Sequence, residues 1–342
     1  MVNLSTELLL LTGATATLVI YRLLSKPRVP IGFHLPPGPS PKPIIGNALD
    51  MPKYLEWETY AKYAKQYGNH NSISSKQTPF LPPPTGEIFY LDVFGTPLVF
   101  LNSRRIVHEL FERRSSNYSD RTTFPMLVDL MGFDWSMAFQ GYGEVWRRHR
   151  RAMHDKFHPS AVEAYKPIQI KHTRDLLCRL HKAPENFIEH IRHTAGAIIM
   201  EVGYGINIKS ENDPYIHTAE EVMSAAGEAG VPGRFMVDMI PWMKYIPEWV
   251  PGASFKKQAR IWRKYILDFA DLPFEHANGT AQPSFTSAHL ERLAATKDAP
   301  ADAEQVIKNT AANIFAGGSD TVRLPITTDI RNFRHLMNFK RI

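Results

Sequence analysis

Positions 307, 310, 311, 314 and 318 carry Ile, Thr, Ala, Ile and Gly, an apolar-to-small row recurring every three to four residues. This row predicts one helix over residues 302–322. Asp302, with Gln305 three places on, fits an N-cap and capping box at its start. Its far end turns small and polar: Ala316-Gly317-Gly318-Ser319-Asp320-Thr321. Adjacent glycines inside a helix cost about 1 kcal/mol each against alanine, and the Thr321 hydroxyl can bond back to the Gly317 carbonyl. Such a helix leaves room beside its backbone, for a bound molecule or for another helix crossing closely.

The same period marks 56–67, through Trp57, Tyr60, Ala61 and Ala64, and 103–113, capped by Ser103. It returns over 144–157, 161–204 and 255–277, and Asp213-Pro214 opens a further helix. Two strands, 87–93 and 98–101, are predicted to turn through Gly95-Thr96-Pro97. The expected fold is therefore mainly α with a small β-sheet. Cys178 sits among Leu176, Leu177 and Leu180, the pattern of a small buried apolar residue. Residues 69–84 have no period and end in three prolines, so they are expected to be an inserted, exposed loop. Residues 126–139 are rich in Met, Phe, Leu and Trp, which suits a core-facing loop or a ligand contact. Residues 229–251 are apolar and proline-punctuated, with Trp242 and Trp249 suited to an interface.

An apolar run over 8–24, interrupted only by Arg22, just reaches membrane-spanning length. Lys26 and Arg28 follow it, which orients the rest of the chain to the cytosol as a single-pass protein. Residues 1–25 are thus expected to be a transmembrane anchor. Seven prolines between 27 and 43 make 26–46 a stiff hinge. With 342 residues and 44% hydrophobic content the remainder can bury a large core. The net charge of +6 suits an acidic membrane surface or partner, whereas the scattered basic residues argue against nucleic acid. One cysteine excludes a disulfide framework.

Two constellations carry candidate chemistry outside the glycine pair. Trp146 and Arg150, four apart, share a helix face, flanked by Arg147, Arg148 and Arg151. His154-Asp155-Lys156-Phe157-His158 spaces two imidazoles as a zinc hydrolase does, but with Asp in place of Glu and Pro159 directly after.

The order of these features, from Leu35-Pro36-Pro37-Gly38-Pro39 through Trp146/Arg150 to Ala316–Thr321, resembles the cytochrome P-450 family of haem-thiolate monooxygenases. It is nearest to fungal microsomal members of secondary metabolism. The resemblance implies a P-450 fold over 47–322, haem b as cofactor, NADPH-cytochrome P-450 reductase as electron donor, and a small lipophilic substrate at the endoplasmic reticulum membrane. It makes Ala316, Gly317 and Gly318 the oxygen and substrate groove, Asp320 and Thr321 the proton relay, and Trp146 and Arg150 the haem-propionate holders. The basic face would receive the reductase, and 229–251 would lie over the substrate channel. The family's Phe-x-x-Gly-x-Arg-x-Cys loop has no counterpart, and 323–342 match nothing in the pattern. The expectation is therefore an incomplete fold with no axial metal ligand, inactive as it stands; the alternatives are a non-catalytic membrane-bound fragment and, remotely, a zinc hydrolase using His154 and His158.

Overall fold

Residues 33–52, 55–68, 87–210, 212–231, 233–279 and 282–320 are described by a computed structural model. The anchor at 1–25, the insertion at 69–84, Thr321 and the tail at 323–342 lie outside them. Among the described residues no helix is long and apolar enough to cross a membrane. The chain divides into two compact units, Met1–Ser119 with Phe235–Pro241, and Asp120–Arg234 with Trp242–Ile342.

In the first unit, helix α1 (Glu56–Gly68) covers a two-stranded sheet of β1 (Ile88–Val93) and β2 (Thr96–Leu101). The strands pair antiparallel, with Phe89 opposite Phe100. Those rings stack at 4.5 Å, and Tyr60 of α1 lies 4.3 Å from Phe100. Such aromatic pairs add about 0.5–1.5 kcal/mol beyond their burial. The turn is Phe94-Gly95, both at positive φ, one residue earlier than the sequence suggests. Asp92 sets it there by accepting the Gly95 N–H at 2.9 Å, and Pro97 consequently becomes a strand residue.

The described end of the proline-rich hinge is no free spacer. The Tyr90 N–H donates to the Pro37 carbonyl at 2.9 Å, and Asn47 bridges the Pro39 carbonyl and the Asp92 N–H at 3.1 and 2.9 Å. Ser103 caps its helix by accepting the Ile106 N–H, as expected. The α-turn then widens into a π-turn at His108–Arg113.

The second unit is helical: α2 (Glu144–Phe157), α3 (Lys166–Lys182), α4 (Phe187–Tyr204), α5 (Pro214–Ala229), α6 (Ser254–Asn278), α7 (Phe285–Ala294) and α8 (Ala303–Asp320). Ala183-Pro184 divides the long periodic stretch into α3 and α4, and Gly205, left-handed at φ +71°, ends α4. Asp213 caps α5 through the N–H groups of Tyr215 and Ile216. Ser284 and Ser287 form a reciprocal box that starts α7.

Helix α8 is the hub and touches α2, α4, α5, α6 and α7. Ile307, Thr310, Ala311, Ala312, Ile314 and Phe315 are all buried, because small residues let several neighbours approach one helix at once. Phe315 stacks on Phe269 of α6 at 4.4 Å and meets Tyr204 of α4 edge-on at 6.2 Å. The anticipated capping box at its start gives way to other partners. The Asp302 carboxylate takes both Nη groups of Arg148, one at 2.8 Å, while Gln305 donates to Asn309 at 2.6 Å.

Cys178 corrects the sequence reading, because it is exposed. On α3 the inward row runs through Ile168, His172 and Leu176, and His172 meets Glu201 of α4 at 2.6 Å. Cys178 lies two residues past Leu176, about 200° round the helix. In residues 126–139, Met126, Leu127, Met131, Phe133 and Trp135 are buried, so the core reading holds for them.

Candidate active site

The two glycines of α8 have different surroundings. A Cβ built on Gly318 would lie 2.6 Å from Cγ1 and 3.0 Å from Cβ of Ile199 on α4, closer than carbon atoms approach. Gly318 is therefore the close-crossing residue. A Cβ on Gly317 would meet nothing within 4 Å, and Gly317 is exposed. Of the Ala316-Gly317-Gly318 groove, half is packing and half is open surface. Ser319 is buried and donates to the Ala316 carbonyl at 3.4 Å. Asp320 is the last helical residue, and Thr321 lies outside the described residues.

On α2, Trp146 is half-buried against Tyr142, with ring centroids 5.5 Å apart, and Arg150 is exposed on the same helix face. The other arginines are engaged. Arg147 and Arg151 bind Glu144 at 3.2 and 2.5 Å, and Arg148 holds Asp302. The Asp302 carboxyl is accordingly held below the usual carboxylate range, first by that bond. The expected basic face is thus largely neutralised within the chain. Arg150, without a hydrogen-bond or ion-pair partner among the described residues, is left to face an external anion.

The zinc alternative is not assembled. His158 has left the helix at ψ 157° and pairs with Ser160 at 2.9 Å. Asp155 turns to α7, 3.1 Å from Arg292 and 3.7 Å from His289. Among the described residues no group of three His, Cys, Asp or Glu could hold a metal.

Next to Arg150, His149 is 1% exposed. Its Nδ1 donates to the Val145 carbonyl at 2.8 Å and its Nε2 has no partner. Burial pushes its pKa below the ordinary histidine value, against the smaller opposite pull of the Val145 carbonyl. The folded chain therefore favours neutral His149, and the unfolded chain takes up the proton as pH falls through about 6.5. That contribution to stability is present above this pH and is lost below it. The stability difference between wild type and His149→Leu should shrink by a measurable slope between pH 7.5 and 5.5, read from urea midpoints; parallel pH curves would contradict this.

One residue of the site lies outside the sequence motifs. Asn313, mid-helix on α8, accepts the Met137 N–H at 2.9 Å and the Ser136 hydroxyl at 3.4 Å. Its amide donates to the Trp135 carbonyl at 3.2 Å and the Asn309 carbonyl at 2.7 Å. An asparagine, a poor helix former, inside an apolar helical row was the available signal.

The sequence profile of the cytochrome P450 family matches residues 83–328. Cytochrome P450 monooxygenase 98 of Postia placenta is 37% identical over 325 residues, covering 93% of this chain and 58% of that protein. Tryptamine 4-monooxygenase of Psilocybe cyanescens is 35% identical over 294 residues, covering 84% and 54% respectively. The chain belongs to the cytochrome P450 family, and it spans somewhat more than half the length of these curated relatives.

The family implies haem, and part of the site fits it. An open backbone strip at Gly317 can lie against a flat ring, and the Trp146/Arg150 face offers a half-buried indole and an exposed guanidinium to a carboxylate. Cys178 does not fit as axial ligand. It is exposed on α3, and no described residue is assigned that role.

Proposed function

We propose that this chain contributes the oxygen- and substrate-facing side of a haem-dependent monooxygenase acting on a small lipophilic molecule. The observation that carries the reading is the unequal glycine pair. Gly318 is locked against Ile199, while a side chain at Gly317, three residues before Asp320 and four before Thr321, would meet nothing within 4 Å. When bound, haem supplies the activation of dioxygen. The chain's own residues do the rest: Gly317 and Ala316 admit the reactants, Asp320 and Thr321 pass protons toward the groove, and Trp146 with Arg150 seats a propionate. Electrons would come from NADPH-cytochrome P-450 reductase at the endoplasmic reticulum membrane. The exposed Trp242 and Trp249, the latter 81% exposed, support a membrane-facing surface. A fungal secondary-metabolism role, as in O-methylsterigmatocystin oxidoreductase, belongs to the same reading.

The test is haem titration of the purified chain followed at the Soret band. Arg150→Ala should weaken haem binding at least about tenfold, since a hydrogen bond to a charged group contributes about 1.5–3 kcal/mol. The urea midpoint of the haem-free chain should not move, because Arg150 has no hydrogen-bond or ion-pair partner to lose among the described residues. Equal affinity in both proteins, or no binding in either, would overturn the proposal.

A further inference from the structure

We propose that Asn313 is a positioning and specificity-determining residue: it clamps the loop 133–140 onto α8 beside Gly317 and so limits the size of apolar ligand admitted to the groove. The inference rests on the groove reading above and adds a residue and a dimension to it. Asn313 uses both faces of its amide, with four partners. Three of them are in one short stretch of a distant segment: the Ser136 hydroxyl, the Met137 N–H and the Trp135 carbonyl. No apolar side chain could reproduce this, because each loop group is a backbone or hydroxyl dipole that needs a partner once water is excluded.

The loop also folds on itself around the clamped residues. The Ser136 carbonyl accepts the N–H groups of Phe139 and Gln140 at 3.0 and 3.1 Å, and the Gln140 amide returns to the Trp135 carbonyl at 3.2 Å. Trp135 and Ser136 are buried, whereas Met137 and Phe139 are half-buried and Ala138 is exposed. Asn313 and Gly317 are four residues apart on one helix, hence on nearly the same face and about 6 Å apart along the axis. A loop fastened at Asn313 therefore forms a wall one turn ahead of the open glycine. Aromatic contacts from Trp135 to Phe269, and from Phe269 to Phe315, anchor the base of the wall but do not orient its rim. At the rim Phe139 meets Phe124 and Phe133 edge-on at 6.1 and 6.0 Å, and the directional bonds of Asn313 fasten the loop to α8.

The experiment compares the wild-type chain with Asn313→Leu, of similar volume, and Ser136→Ala, which removes one loop partner without touching α8. Hydrogen exchange over 133–140 should accelerate about tenfold in Asn313→Leu and less in Ser136→Ala, with exchange over 187–204 unchanged. Equilibrium dialysis with indole and phenanthrene is the second arm. Asn313→Leu should raise the affinity for phenanthrene relative to indole about tenfold, and Ser136→Ala should shift it in the same direction. Unchanged loop exchange in both variants would overturn the clamp. Faster loop exchange with an unchanged affinity ratio would overturn the size-limiting role. If neither compound binds wild type while loop exchange still accelerates, the groove reading fails, and with it the specificity role, but the clamp stands. Should Asn313→Leu not fold, Ser136→Ala decides both arms by itself.

Discussion

Phe315→Ala should lower the stability of the second unit by about 3–5 kcal/mol, the range for deleting a fully buried phenylalanine. Phe315 has no exposed surface, stacks face to face on Phe269 and meets Tyr204 edge-on. Removing it would open a cavity where α8, α6 and α4 meet, and those helices cannot collapse into the gap without disturbing Gly318 against Ile199. The measurement is urea denaturation followed by circular dichroism. Phe315→Leu, which keeps most of the volume, should recover more than half of the loss. A cost below about 1 kcal/mol for the alanine variant would mean that α8 is not the hub described above.

The glycine pair should respond to alanine with opposite signs. Gly318→Ala places a methyl group on Ile199, and overpacking of this kind costs about 1–3 kcal/mol. Removing a glycine from a helix returns about 1 kcal/mol, so a net loss is expected. Gly318→Val puts two more carbons against the same side chain and should exceed it. Gly317→Ala meets nothing and should gain up to about 1 kcal/mol, while narrowing the proposed groove. Unfolding midpoints that move in the same direction for both alanine variants would show that the two positions are not divided between packing and opening. Greater stability and weaker ligand binding in one variant would indicate a glycine retained for function rather than for folding.

Much of the helical framework was legible in the chain. The periodic row on α8, Ser103 and Asp213 as caps, and the strand pair are local signals, and local geometry obeys them. Helix α7 was not legible from periodicity, since its ten residues carry only a short apolar row. Its Ser284/Ser287 box was the available clue. The hairpin turn moved because Asp92 captures the Gly95 N–H, a bond that periodicity cannot register. Cys178 faces outward because it lies about 200° round α3 from Leu176, away from the row of Ile168, His172 and Leu176, in which His172 meets Glu201. A polar pair can take an inward position that hydrophobicity alone would assign to its neighbours.

For the candidate site, the sequence by itself determined which residue types stand on one helix: two glycines before an acid and an alcohol, and a Trp and an Arg one turn apart. These are consequences of spacing, because a helix brings residues three and four apart onto one face whatever surrounds it. Only the tertiary structure decided which glycine is filled and which is open. It also decided which of the four arginines of α2 has no partner among the described residues, and that Asn313 reaches a loop more than 170 residues earlier in the chain. Those outcomes depend on contacts between segments remote in sequence, and no local pattern encodes the partner that arrives from elsewhere in the fold.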